Sequence, residues 1–179
     1  MKQVRFFSYS LLFCVLLNVG VSIVNGDLIS DTCAKIAAKD SSVQQDFCMQ
    51  RLQYDQSTRD AKDIHALGDG TIQLIQDKAK DIKSTVTTLS SAPDPKIKKA
   101  LQDCSDSYDE AVGNVNNARD SFSKNDNKAA NINLTAVLDN VGTCEDSFKD
   151  GGLEVHPRLA IQTSKFTGLV KMGIAMTNM

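Results

Sequence analysis

IKKALQDCSDSYDEAVGNVNNARDSF (residues 97–122), followed after a short polar run by ANINLTAVLDNVGTCEDSF (residues 130–148), decides the fold. In the first stretch Ile97, Leu101, Cys104, Tyr108, Ala111, Val115, Ala118 and Phe122 alternate steps of four and three without a slip. In the second, Ala130, Leu134, Val137, Val141, Cys144 and Phe148 do the same. That period puts each set on one stripe of an α-helix. The intervening Ser123-Lys124-Asn125-Asp126-Asn127 has turn chemistry, so the two helices fold back on each other. Cys104 and Cys144 each lie twenty residues from Lys124. Residues equidistant from the turn of an antiparallel hairpin stand at the same height, here about 30 Å from the loop. Both cysteines therefore fall where the facing helices touch.

Working toward the N-terminus, Pro93-Asp94-Pro95 ends one helix and starts the next, with Asp94 as cap and Pro95 at the first helical position. Before it, residues 58–90 read as one long helix through Ile64, Leu67, Leu74, Ile82, Val86 and Leu89, with a bend expected at Gly68 and Gly70. Earlier still, residues 28–39 and 43–54 read as two short helices around the turn Asp40-Ser41-Ser42. Cys33 and Cys48 flank that turn, which predicts the pairing Cys33–Cys48 with Cys104–Cys144 among the three possible connectivities. Toward the C-terminus, Gly151-Gly152 stops the 130–148 helix. His156-Pro157 starts a last one, with Leu159, Phe166, Leu169, Val170 and Met176 on its apolar face. The expected fold is all-α: an up-down four-helix bundle with an N-terminal helical hairpin and two disulfides. Loop entropy assigns roughly 3 kcal/mol to the smaller ring and roughly 4 kcal/mol to the larger.

Residues 1–26 read as a signal peptide. Lys2 and Arg5 form its basic start, an apolar run follows from Leu11 to Leu17, and Val24-Asn25-Gly26 fits cleavage before Asp27. Polar Asn18, Ser22 and Asn25 argue against a membrane anchor. Residues 27–179 then form one domain. Cys14 leaves with the signal peptide, so four of the five cysteines remain, an even number suited to an oxidising compartment. The 20 Lys+Arg of the full chain less Lys2 and Arg5 leave 18 against 22 Asp+Glu, a net charge of −4. That balance gives no support to nucleic-acid binding, and no later run is apolar enough to span a membrane.

Chemistry is sparse. His65 and His156 are the only histidines and lie far apart in sequence, so neither reads as a general base. The cysteines lack metal-type spacing, and no glycine-rich phosphate loop or nucleophile elbow occurs. Asp103, Asp106, Asp109 and Glu110 read as the solvated side of a helix whose seam is already assigned, as does Glu145-Asp146. No catalytic, metal or cofactor residue is assigned. Asn133-Leu134-Thr135 is an N-glycosylation sequon, which makes Asn133 a candidate glycan site.

Several of these residues form a recognisable set: Leu28-Ile29-Ser30-Asp31-Thr32-Cys33; Phe47-Cys48 and Leu52; Leu101, Cys104, Tyr108 and Ala111; and Ala136 ahead of Thr143-Cys144-Glu145-Asp146-Ser147-Phe148. Across residues 27–179 the chain resembles the plant invertase/pectin methylesterase inhibitor family, including its pollen-allergen-like members. The resemblance implies a four-helix bundle with an N-terminal hairpin, disulfides joining first to second and third to fourth cysteine, and no catalysis. It also implies a secreted protein of the apoplast and cell wall that blocks the cleft of pectin methylesterase or acid invertase. Invertase-directed members carry Pro-Lys-Phe before the fourth cysteine. Here the matching positions read Asn127-Lys128-Ala129, so only Lys128 remains as a candidate target contact and the expectation turns toward pectin methylesterase. A secreted helical small-molecule carrier is the alternative of another class. It would need a cavity between helices, whereas the seams are filled with Leu, Val, Phe and Ile.

Overall fold

The computed structural model describes residues 28–91 and 94–179. The signal-peptide reading and Pro93 lie outside these residues. Among the described residues there are seven helices and no strand: α1 (28–39), α2 (Gln45–Tyr54), α3 (Gln56–Arg59), α4 (Ile64–Leu89), α5 (Pro95–Ser123), α6 (Asn127–Asp150) and α7 (Pro157–Met176). The four long helices close a ring in which α4 packs on α5, α5 on α6, α6 on α7 and α7 on α4. This is the expected four-helix bundle, with the α1–α2 hairpin attached.

The stripes of α5 and α6 are buried from Leu101 to Phe122 and from Ala130 to Phe148, while Ile97, read as the first seam residue of α5, is only partly buried. The ends of these two helices are satisfied locally. The Asp94 carboxylate accepts from the Lys96 amide at 2.8 Å with Pro95 behind it, and Asp126 accepts from the Ala129 amide at 3.0 Å. At the end of α5, Asn125 adopts φ 60°, and the amides of Asn125 and Asp126 reach the carbonyls of Phe122 and Ser121 at 2.9 Å. Gly152, with φ 65°, plays the same part after α6. Cys104 is bonded to Cys144, with their Cα atoms 4.3 Å apart. The turn closes one end of the α5–α6 pair and the disulfide ties it about 30 Å away.

The structure departs from the sequence reading in one helix. Residues 58–90 do not form a single element. The chain leaves helical geometry between Asp60 and Asp63, and α4 starts afresh with the Asp63 carboxylate accepting from the Ala66 amide at 2.8 Å. Asp55 caps α3 in the same manner. Gly68 and Gly70 therefore lie in the first two turns of an unbroken helix. They permit close approach instead of bending it. A Cβ at Gly68 would stand 2.6 Å from Phe122 Cζ, and one at Gly70 would stand 3.0 Å from the Ser57 carbonyl oxygen. Ile64, read as a seam residue, is the first residue of α4 and is 36% exposed.

The hairpin is closed by its own disulfide and docks on the bundle through buried side chains and hydrogen bonds. Cys33 is bonded to Cys48, and Ile29, Ile36, Val43 and Leu52 are buried. Phe47 lies against Gly168 of α7, where a Cβ would meet its ring at 2.9 Å. The Thr58 hydroxyl donates to the Leu52 carbonyl at 2.6 Å, and Lys171 of α7 donates to Ser42 Oγ at 2.7 Å.

Tyr108 is the largest fully buried side chain. Its hydroxyl lies 3.3 Å from Thr163 Oγ1, and its ring centroid lies 6.1 Å from that of Phe166. Burial pushes its phenol up to about 12, with a smaller push from Glu145 against the opposing hydrogen bond. Below pH 10 both folded and unfolded chains keep the proton. Between pH 10 and 12 only the unfolded chain loses it, so stability falls as pH rises through that window. The expected slope is about 1.4 kcal/mol per pH unit. Urea unfolding from pH 9 to 12 measures it, and Tyr108→Phe is expected to remove this part of the slope. An unchanged slope in the variant would assign the alkaline loss to another group.

Candidate functional site

The histidines serve the fold. His65 stacks on Phe122 with centroids 4.7 Å apart, and its Nε2 lies 3.2 Å from the Phe122 carbonyl oxygen. His156 caps α7, its Nδ1 accepting from the Arg158 amide at 3.2 Å. The acidic run of α5 is dispersed among separate partners. Lys99 donates to Asp103, Gln102 to Asp106, Lys83 of α4 to Asp109, and Asn140 of α6 to Glu110. Among the described residues no group of three or more His, Cys, Asp or Glu is placed to hold a metal ion.

What the molecule offers instead is two polar faces held in place by bonds between helices. Across α4 and α5, the Arg119 guanidinium grips both carboxylate oxygens of Asp69 at 3.1 Å and donates to Gln73. Asp69 holds Arg119 more firmly protonated than a free arginine. Gln73 donates in turn to Asp77, and Gln76 donates to Asn116. Across α5 and α6, Asn114 donates to Asn140 at 2.9 Å and Asn140 to Glu110 at 3.0 Å. Side chains held this way lose little freedom when a partner docks, so the faces suit protein recognition. Beyond them a shallow depression lies between the start of α5, with Lys96 and Lys99, and the end of α6, with Asp146 and Asp150.

Lys128 is the second residue of α6, at the α5–α6 tip. It is exposed and makes no ion pair among the described residues. Nearby Lys124 is committed to Asp120 at 2.6 Å. Ala129, the next residue, adds only a methyl group, so the tip presents a cation without an aromatic wedge. Asn133 is half-buried on α6, and its Nδ2 donates to the Ala129 carbonyl at 2.9 Å. An amide carrying a glycan keeps one N–H, enough for that bond.

Sequence reasoning missed one feature. A groove of about 320 Å³ opens between the end of α2, α4 and α7. Its floor is Leu74, Ile82, Phe166 and Leu169, residues whose spacing marks them as seam. Around that floor stand charged and polar residues, Arg51, Asp55, Lys78, Asp81, Gln162 and Lys165, with Tyr54 89% exposed at the rim.

The family model of the plant invertase/pectin methylesterase inhibitors matches residues 27–176. A protein of Platanus acerifolia named "putative invertase inhibitor" is 30% identical over 97% of this chain and 96% of its own. A pectinesterase inhibitor of Actinidia deliciosa is 29% identical over 85% of this chain and 78% of its own. The crystal structure of mutant form A of a pectin methylesterase inhibitor from Arabidopsis superposes with a TM-score of 0.68. It covers 80% of this chain and 96% of its own at 22% identity, a likeness of fold.

Proposed function

Because the chain belongs to the plant invertase/pectin methylesterase inhibitor family, we propose that it inhibits a cell-wall carbohydrate-processing enzyme, with pectin methylesterase as the target. It binds reversibly, blocks the active-site cleft and catalyses nothing itself. The observation that carries this reading is the family match over residues 27–176, which include both disulfides and the whole bundle. The two cross-bonded polar faces support a docking role, since they are preorganised and hold no catalytic grouping. The reading of residues 1–26 as a signal peptide, the even cysteine count and the sequon at Asn133 support secretion to the apoplast. A mass loss on enzymatic deglycosylation of the secreted protein is expected at Asn133, and an unshifted mass would remove it as a glycan site.

The choice of target rests on Asn127-Lys128-Ala129. Insertion into an invertase active site calls for an aromatic side chain after the lysine, and Ala129 provides none. The second reading, acid invertase, is favoured by the 30% identity to the Platanus acerifolia protein and by the exposed Lys128. Parallel inhibition assays at mildly acidic pH separate them. Pectin methylesterase is expected to be inhibited and invertase not, with Lys128→Ala changing inhibition by less than about twofold, as befits a cation outside the interface. Inhibition of invertase that falls about tenfold in Lys128→Ala would install the second reading. A disulfide-intact protein that inhibits neither enzyme would overturn both.

A further inference from the structure

Accessible phenol chemistry is confined to one point of this molecule. The full chain has three tyrosines and no tryptophan. Tyr9 falls in residues 1–26 and leaves with them under the signal-peptide reading. Tyr108 is 1% exposed, and its hydroxyl lies against Thr163 Oγ1 inside the bundle, so its ring is sealed from reagents in solution. Tyr54 is the opposite case. It is the last residue of α2, and almost its whole surface is open to solvent.

A phenol surrenders one hydrogen atom to a haem peroxidase that hydrogen peroxide has oxidised. The radical left behind reacts at the ring carbons ortho to the oxygen. The fold offers no internal repair. Cys33, Cys48, Cys104 and Cys144 are all in disulfides, so among the described residues no thiol returns the hydrogen, and no indole takes up the radical. The surroundings also let a second copy approach. Arg51, Lys78 and Lys165 stand near Tyr54 with Asp55 and Asp81, three cations against two carboxylates. The single charge left over on each copy is screened beyond about 8 Å in physiological salt.

We propose that Tyr54 is an oxidative coupling site through which a haem peroxidase joins two copies of this chain, ring to ring. Each phenol loses one hydrogen atom, and the two radicals form one carbon–carbon bond between ortho positions. The hydrogen displaced from each ring carbon shifts to the oxygen and restores the phenol. One hydrogen peroxide takes up the two hydrogen atoms and leaves as two waters. The contact is isologous, Tyr54 on Tyr54, and closes as a pair. Tyr54 stands where α2 meets α4 and α7, and in the ring of four helices that side lies opposite α5 and α6. The pair therefore leaves the α5–α6 polar face of both copies open. That it then acts as a bivalent inhibitor rests on the proposed function; the coupling does not.

The test treats the secreted, disulfide-intact protein with a catalytic amount of haem peroxidase and half an equivalent of hydrogen peroxide, beside a parallel reaction on N-acetyltyrosine. One product is expected, of twice the mass less two hydrogen atoms. It survives reduction, carries dityrosine fluorescence, and yields the tryptic peptide 52–59 joined to its own copy. Tyr54→Phe, at an exposed position, is expected to lose the pair altogether, and Tyr108→Phe to keep it. A parent chain that stays single where N-acetyltyrosine couples overturns the site. So does a Tyr54→Phe variant that pairs like the parent, or a ladder of larger products. The purified pair is expected to inhibit, chain for chain, as strongly as the monomer. A pair that is inactive where the monomer inhibits overturns the outward placement of the α5–α6 faces. A monomer that inhibits no enzyme counts against the proposed function alone, since the coupling is read from mass and fluorescence.

Discussion

Cys104→Ala with Cys144→Ala is expected to lower unfolding stability by about 4 kcal/mol while leaving the far-ultraviolet spectrum helical. The bond closes a ring with a sequence separation of 40, and cutting it returns that loop's entropy to the unfolded chain. The helices themselves do not depend on it. The stripes from Leu101 to Phe122 and from Ala130 to Phe148 stay buried against each other, and caps at Asp94, Asn125, Asp126 and Gly152 hold the ends. Alanine is the replacement because a serine hydroxyl would be buried at positions that are at most 1% exposed. At roughly 2–4 °C per kcal/mol for a chain of this length, the midpoint should fall by roughly 8–16 °C. Thermal melting followed by circular dichroism measures this. A midpoint within 2 °C of the parent would mean that the ring constrains nothing the helices had not already fixed. Opening Cys33–Cys48 should act differently. Its separation is 15, and it holds an appended hairpin that can come loose before the bundle melts.

Phe122→Ala is the second change of this size, expected to cost about 3–5 kcal/mol. Phe122 is 3% exposed, closes the lower end of the α5 seam, stacks on His65 and covers Gly68. Its removal leaves a hole beside Gly68 and His65. The pairing with Gly68 makes the prediction sharper. In the parent, Gly68→Ala sets a gain of about 1 kcal/mol in helix propensity against a Cβ 2.6 Å from the Phe122 ring, and the clash wins. In the Phe122→Ala background the obstacle is gone, and the same Gly68→Ala change should stabilise. Denaturant midpoints for the four proteins of this cycle give the coupling directly. Additive effects would show that Gly68 is not held as glycine by that ring.

The cycle also marks where sequence reading stopped. The α5 and α6 stripes were legible because fourteen positions obey one period and the turn between them has its own chemistry. The break at Asp60–Asp63 was not. The apolar period runs on through Leu67 and Leu74, and an aspartate that caps a helix looks the same in sequence as one on a solvated face. Gly68 and Gly70 suggested weakness because local propensity is all a one-dimensional pattern reports. Their function is set by Phe122 and Ser57, residues distant in sequence or on another element. The same limit applies to sites. Lys128 was legible as a position in a motif, and its exposure at a helix start agrees with a solvated lysine as well as with a contact. The Arg119–Asp69 and Asn114–Asn140 bridges are pairings across helices that no spacing encodes. The groove was hidden because Leu74, Ile82, Phe166 and Leu169 have the spacing of core residues and are buried as such, and the gap above them between α2, α4 and α7 is recorded in no single stretch of sequence.

The loop from Ser123 to Asp126 is exposed, and with the Cys104–Cys144 bond beyond it the segment between the cysteines is a covalent circle. A protease that clips this loop, for instance after Lys124, opens the circle without releasing a fragment. The nicked molecule keeps its mass apart from one added water, migrates as one species until it is reduced, and retains both helices at their original separation. Damage at this exposed loop is therefore silent in shape.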